Sequence, residues 1–179
     1  RGLHAQNRPA ETAGTGTRCA INLVGRHAGE KNLKRGDWLV GEDAHLPSNR
    51  IDALVQLAIG EDDPIRHDTP VHVHIGAADI PGRIALLESR RLNPGETALA
   101  QLVLDRETTC VHGDRLILRD QTARRTLAGG RVIDPLGAVR GRARPERRAW
   151  LLAMAETEPA TALSRLLAET SDPVALDLF

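Results

Sequence analysis

Apolar and polar side chains alternate with a period of two through most of the first 135 residues, the spacing of strands with one buried face. In CAINLVG, Cys19, Ile21 and Leu23 share a face. In DALVQLAIG, Ala53, Val55, Leu57 and Ile59 do the same. VHVHIG places Val71, Val73 and Ile75 inside and His72 and His74 outside. RIALLE, ALAQLVLD, RLILRD and GRVID continue the pattern, with Gly or Pro separating many of the runs. Short strands at this spacing predict an all-β barrel or sandwich. WLVG after Arg35-Gly36-Asp37 and RLIL after His112-Gly113-Asp114 share one device, a Gly-Asp turn leading into an apolar strand. Within RLILRDQTARRTLAGGRVIDP the pattern predicts a strand, then QTARRTLAGG as turn and bulge, then a closing strand. Gly129-Gly130 serves the bend or bulge.

The periodicity stops at 136–145, LGAVRGRARP, which reads as a linker. Pro145 suits the first turn of a helix, and Trp150, Leu151, Met154 and Ala155 make one apolar face beyond it. A second helix is expected from Pro159, burying Leu163, Leu166 and Leu167. SDPVALDLF reads as a third helix start, with Ser171 or Asp172 as N-cap and Pro173 at the first helical position.

Charge changes this picture. The 179 residues have a formal net charge of zero, but residues 115–148 hold 10 basic and 3 acidic side chains. Every basic residue in that block is Arg, which grips phosphate with two parallel N–H donors. Two readings stand side by side: a phosphate-binding track, and an Arg-rich composition spread over a solvated face. Aromatics are scarce, with Trp38, Trp150 and Phe179 alone, which argues against binding bases by stacking but not against backbone contacts.

Other chemistry is thin. Cys19 and Cys110 form no CxxC and no disulfide framework, so a reducing cytoplasm is the expected compartment. No apolar run is long enough to span a membrane as a helix, and the N-terminus is no signal peptide. It also lacks an initiator Met and starts as though inside an element, so a fragment is expected. His72 and His74 could ligate a metal, but no further ligand is in view, and a polar outer strand face is favoured; no metal is expected. Arg35-Gly36-Asp37 is the adhesion tripeptide, better read here as a turn. No GxxxxGK[ST], GxSxG or HExxH occurs, and the acids show no catalytic spacing, so no catalytic residue is assigned. Arg18, at the start of a strand, is either a solvated edge residue or a cation projecting from a barrel rim.

With these residues in view, the chain resembles the bacterial selenocysteine-specific elongation factors (SelB). RGLHAQNRPAETAGTGTRCAINLVG followed by KRGDWLV resembles the second half of that family's domain II. VHVHIGAADIPGRIALLE and DRLILRDQTARRTLAGGRVIDP resemble its domain III, and RGRARPERRAWL its exit into a winged-helix region. The RD…R.T.…GG.V pattern is general to factors related to elongation factor Tu, whereas LHAQN, RGDWL and RRTLAGG point to the selenocysteine branch. The resemblance implies a mainly β fold of two translation-factor barrels followed by a short helical segment. Residues 1–43 would be the C-terminal part of domain II, 44–137 domain III, and 138–179 the Arg-rich linker and start of the winged helices. It implies a parent that binds GTP with Mg in an N-terminal GTPase domain outside this chain, with no cofactor and no GTPase activity here. That parent would deliver selenocysteinyl-tRNA to the ribosome at recoded UGA codons and bind a selenoprotein message hairpin through its winged helices.

The resemblance also implies roles for single residues. Arg18 matches an Arg lining the aminoacyl pocket; a fixed cation there would favour an ionised selenol over a neutral thiol or hydroxyl. Arg119, Arg124 and Arg125 fall in the segment that runs along the tRNA backbone, with Gln121 and Thr122 adding amide and hydroxyl contacts. Arg140, Arg142 and Arg144 would extend the track along the linker. The alternative is a structural barrel module whose Arg stripe contacts another domain or protein.

Overall fold

The computed structural model describes residues 2–25 and 33–169, and the expected third helix lies outside them. The chain divides into two compact units, Arg1–Asp37 and Trp38–Phe179.

The first unit holds a three-stranded antiparallel sheet ordered β2-β1-β3, from β1 (Gly2–Ala5), β2 (Arg8–Ala10) and β3 (Cys19–Asn22). Gln6 and Asn7 both take positive φ, 51° and 63°, the geometry of a two-residue hairpin matched to strand twist. The alternation in CAINLVG extends as strand only to Asn22.

The second unit is built on β4 (Pro47–Leu57), β5 (Ile65–Arg66), β6 (Thr69–Ile75), β7 (Ala78–Leu86), β8 (Arg91–Leu92), β9 (Thr97–Thr109), β10 (Arg115–Arg119) and β11 (Thr126–Asp134). Six of them close an antiparallel barrel in the order β10-β11-β4-β9-β7-β6, while β5 and β8 pair as a small separate ribbon. Closure leaves these six strands without a free edge. The expected inward faces are the observed ones: Ala53, Val55 and Leu57 from β4, Val71, Val73 and Ile75 from β6, Leu116 and Leu118 from β10. The face from DALVQLAIG ends early, because β4 stops at Leu57 and leaves Ile59 84% exposed.

The structure departs from the sequence pattern at three places. WLVG forms no strand; Trp38 instead lies over the β6–β7 turn, where a Cβ on Gly76 would come within 2.7 Å of its ring. TLAGG belongs to β11 and not to the turn. The bulge falls at Leu127, since Leu118 pairs with Ala128 and Arg119 with Thr126. Gly129 and Gly130 pair regularly, and Gly130 is required by close approach: a Cβ there would stand 2.7 Å from the Leu54 carbonyl oxygen.

Helix α1 (Pro145–Met154) starts on Pro145 as the sequence predicts, and α2 (Pro159–Glu169) follows after a short turn. The apolar face of α1 closes a second core on the outside of the barrel. Leu151 packs there with Leu87, Leu99 and Ile133, and Trp150, Met154 and Ala155 flank it. In α2 the buried residues are Ala162 and Leu166; Leu163 is half-buried and Leu167 is 60% exposed, against expectation.

Candidate nucleic-acid interface

The turn between β10 and β11 is built around one carboxylate. Asp120 Oδ1 accepts hydrogen bonds from the main-chain N–H groups of Arg124 and Arg125, both at 2.8 Å, and Oδ2 accepts from the Thr122 hydroxyl at 2.6 Å. The main chain closes over it: Ala123 N donates to the Asp120 carbonyl at 2.8 Å, and Asp120 N to that of Arg125 at 3.0 Å. Main-chain donation from Arg125 leads the influences that lower the Asp120 carboxyl to about 2, with the Thr122 hydroxyl next. Ala123 sits at φ 51°, a left-handed conformation that an L residue holds only when its surroundings fix it.

The arginines on this frame are not equivalent. Arg119 donates from Nη2 to the Arg124 carbonyl at 3.1 Å, bracing the turn from the strand. Arg125 pairs with Glu61 at 3.2 Å while its own side chain stays 58% exposed. Arg124 is exposed and has no ion-pair partner among the described residues. Gln121 is exposed, and the Thr122 hydroxyl proton is spent on Asp120. Arg115 is exposed and stands opposite Arg131 across the β10–β11 pair.

The linker arginines leave from the other end of β11, beyond Asp134. With about 3.3 Å per strand residue, nine residues of β11 separate them from the turn along the barrel. Arg140 is exposed. Arg142 approaches Gln101 Oε1 at 3.4 Å, and Arg144 takes the extended N-cap position of α1. The turn and the linker therefore carry two groups of arginines.

A third group, missed in the sequence, explains part of the Arg excess without any ligand. Arg147 on α1 donates from Nη2 to Asp52 at 2.6 Å and to Asp134, and its guanidinium lies 4.6 Å from the Trp150 ring centre. Asp52 is fully buried on β4 and also accepts from Gln101 Nε2 at 2.8 Å; the same nitrogen donates to the Ala138 carbonyl at 3.0 Å. Burial pushes the Asp52 carboxyl above its usual range, partly opposed by Arg147. Burial works against the charge on Arg147, but the Asp134 and Asp52 carboxylates outweigh it and hold the guanidinium protonated. Arg131 is half-buried and donates to the Ala155 carbonyl at the C-terminus of α1, where a cation is favoured. The strand pattern alone placed Asp52 outward; nothing in it revealed that a helix would cover that face.

In the first unit Arg18 lines a cleft of about 600 Å³ with His4, Gln6, Asn7, Cys19 and Ala20. Register puts His4 opposite Ala20, on the strand bordering Arg18. The histidine's place in this cleft also escaped the sequence reading. On the barrel, His72 Nδ1 lies 2.8 Å from Asp79 Oδ1 and His74 Nε2 3.7 Å from it, a polar outer-face cluster. Among the described residues no group of three or more His, Cys, Asp or Glu is arranged to hold a metal ion. Cys110 is buried and its thiol is pushed up to about 12, so it is not a nucleophile near neutral pH. No helix among the described residues is long and apolar enough to cross a membrane.

Residues 52–138 match the family model for the β-barrel domain of selenocysteine-specific elongation factor. The selenocysteine-specific elongation factor of Escherichia coli (strain K12) is 39% identical over 158 residues, 88% of this chain and 24% of that protein. That of Desulfomicrobium baculatum is 38% identical over 137 residues, covering 76% and 21% respectively. That of Haemophilus influenzae is 31% identical over 134 residues, covering 75% and 21%. The chain spans about a quarter or less of the length of the curated relatives it matches.

Proposed function

The chain carries the β-barrel domain of the selenocysteine-specific elongation factors, and from that premise we propose that it is the part of such a factor that holds selenocysteinyl-tRNA. The observation that carries this reading is the β10–β11 turn, where a fixed main chain presents Arg124 to solvent without a partner among the described residues. An A-form RNA helix offers phosphates and 2′-hydroxyls across its surface, and guanidinium groups on a rigid turn suit that surface better than base-edge readout. Arg119 and Arg125 flank the contact, and Gln121 and Thr122 supply an amide and a hydroxyl acceptor beside it. Arg140, Arg142 and Arg144 form a separate basic group at the linker, serving RNA elsewhere on its path.

In the first unit, the Arg18 cleft is the proposed seat of the aminoacyl group. A selenol ionises more readily than a thiol or hydroxyl, so a fixed cation favours the selenolate. GTP and Mg belong, in this proposal, to a separate GTPase domain. The whole factor would act in the cytoplasm on the ribosome at recoded UGA codons and read a message hairpin through winged helices. Mapping amide chemical shifts with selenocysteine tRNA at low and moderate salt tests the site: perturbations centred on residues 119–125 are expected.

A second reading has its own observation. Arg125, Arg131 and Arg147 are each engaged within the chain, to Glu61, Ala155 and the Asp52–Asp134 pair. Part of the Arg block thus serves packing, and the exposed remainder would contact a neighbouring domain. Shift mapping that leaves residues 115–131 unmoved by tRNA favours this second reading.

A further inference from the structure

The proposed RNA-binding turn contains an acid, and we infer that Asp120 is a positioning residue that presents Arg124 to an RNA phosphate. This rests on the RNA-backbone reading of the turn and goes beyond it, because it gives Asp120 a role exerted through its bonds within the turn.

One carboxylate occupies the main-chain N–H groups of Arg124 and Arg125 and the hydroxyl of Thr122. Its charge is therefore directed into the turn. The residue whose side chain points to solvent has its own N–H held by Asp120 and its own carbonyl held by Arg119 Nη2. Ala123, just before it, is kept left-handed by the same closure, with its N–H on the Asp120 carbonyl. A loop so fixed loses little backbone freedom when a ligand arrives, and a loop without Asp120 must be ordered at that moment.

Simple Coulomb reasoning gives the opposite sign. Deleting an acid from a face that meets phosphate should tighten binding. The two effects therefore compete in a measurable direction. The test uses the full chain with tRNA as probe, titrated across salt, for wild type, Asp120→Ala, Asp120→Asn and Arg124→Ala. Asp120→Ala is expected to bind about five- to tenfold more weakly, from roughly one residue's worth of ordering. Its slope of log affinity against log salt stays at the wild-type value, because no phosphate contact is removed. Asp120→Asn keeps an oxygen that accepts from both main-chain donors and is expected within about twofold of wild type. Arg124→Ala lowers the slope by about one.

An Asp120→Ala protein that binds as tightly as wild type, or more tightly, overturns the inference. Amide exchange of Arg124 and Arg125 in the free protein decides it independently of RNA. Exchange is expected to accelerate in Asp120→Ala while the barrel amides keep their protection; unchanged protection at the two arginines also overturns it. If Arg124→Ala changes neither affinity nor slope, the RNA reading of the turn fails instead, and the exchange measurement alone decides whether Asp120 holds the turn.

Discussion

Substituting Arg147 by Ala should loosen α1 from the barrel far more than loss of an exposed ion pair would. Arg147 is the cation facing two carboxylates, and Asp52 is fully buried. Removing one partner of a buried pair costs about 3–5 kcal/mol, because the remaining charge is left uncompensated. Here the low end applies. Asp52 keeps its bond from Gln101, and Asp134 keeps one from the Leu136 N–H, so the expected loss is about 3 kcal/mol. Trp150 lies under the guanidinium, so its fluorescence in urea, on a Trp38→Phe background, reads the docking directly. The pH dependence follows from sign. A folded-state pKa raised above 3.8 means that the folded protein binds this proton more tightly than the unfolded chain does. Asp52 thus subtracts stability at neutral pH, and the deficit shrinks as pH falls toward 3.8. Without Arg147 a lowering influence is gone and the deficit is larger. The gap between wild type and Arg147→Ala should therefore narrow as pH falls toward 3.8. A loss under about 1 kcal/mol, the size of an exposed pair, would refute the reasoning. So would a gap that does not move with pH.

The two glycines of β11 should behave oppositely when changed to Ala. Gly130→Ala drives a Cβ against the Leu54 carbonyl and is expected to cost about 1–3 kcal/mol in urea unfolding. Gly129→Ala meets nothing within 4 Å and should be neutral or stabilise by up to about 1 kcal/mol. The Asp120 turn should persist at neutral pH and open in acid. A carboxyl lowered from 3.8 to about 2 contributes order above the higher value and loses it as pH falls through the lower. Amide exchange at Arg124 and Arg125 between pH 4 and pH 2, corrected for intrinsic rates, checks this; protection constant across that window contradicts it. Arg124→Ala should weaken tRNA binding more than Arg125→Ala, since Arg125 must share itself with Glu61; filter binding of the two variants compares them.

The barrel was legible because its inward faces obey strict alternation. Val71, Val73 and Ile75 announce β6, and Leu116 and Leu118 announce β10. Pro145 and the Trp150–Ala155 face announced α1 equally well, because N-terminal Pro and a helical apolar stripe are local signals. What failed was decided by contacts distant in sequence. WLVG has a strand's composition, but Trp38 is used as a cover over Gly76. The β1–β2 hairpin hides in LHAQNRPA, where the strands are three or four residues long and only Gln6-Asn7 marks the turn. Asp52 occupies an outward strand position and is buried where Gln101 of β9 contacts it and α1 returns with Arg147. The same return converts Arg131 and Arg147 from apparent surface charge into docking contacts. Charge density located the basic segment correctly, but could not separate arginines that hold the fold together from arginines left for a ligand.

The central claim is that Arg124, on its braced turn, grips an RNA backbone. The most direct measurement is the affinity of the chain for selenocysteine tRNA across a salt series, for wild type and Arg124→Ala. The account predicts a linear fall of log affinity with log salt for wild type, and a weaker line for the variant with its slope reduced by about one. Coincident lines across the whole series would contradict it.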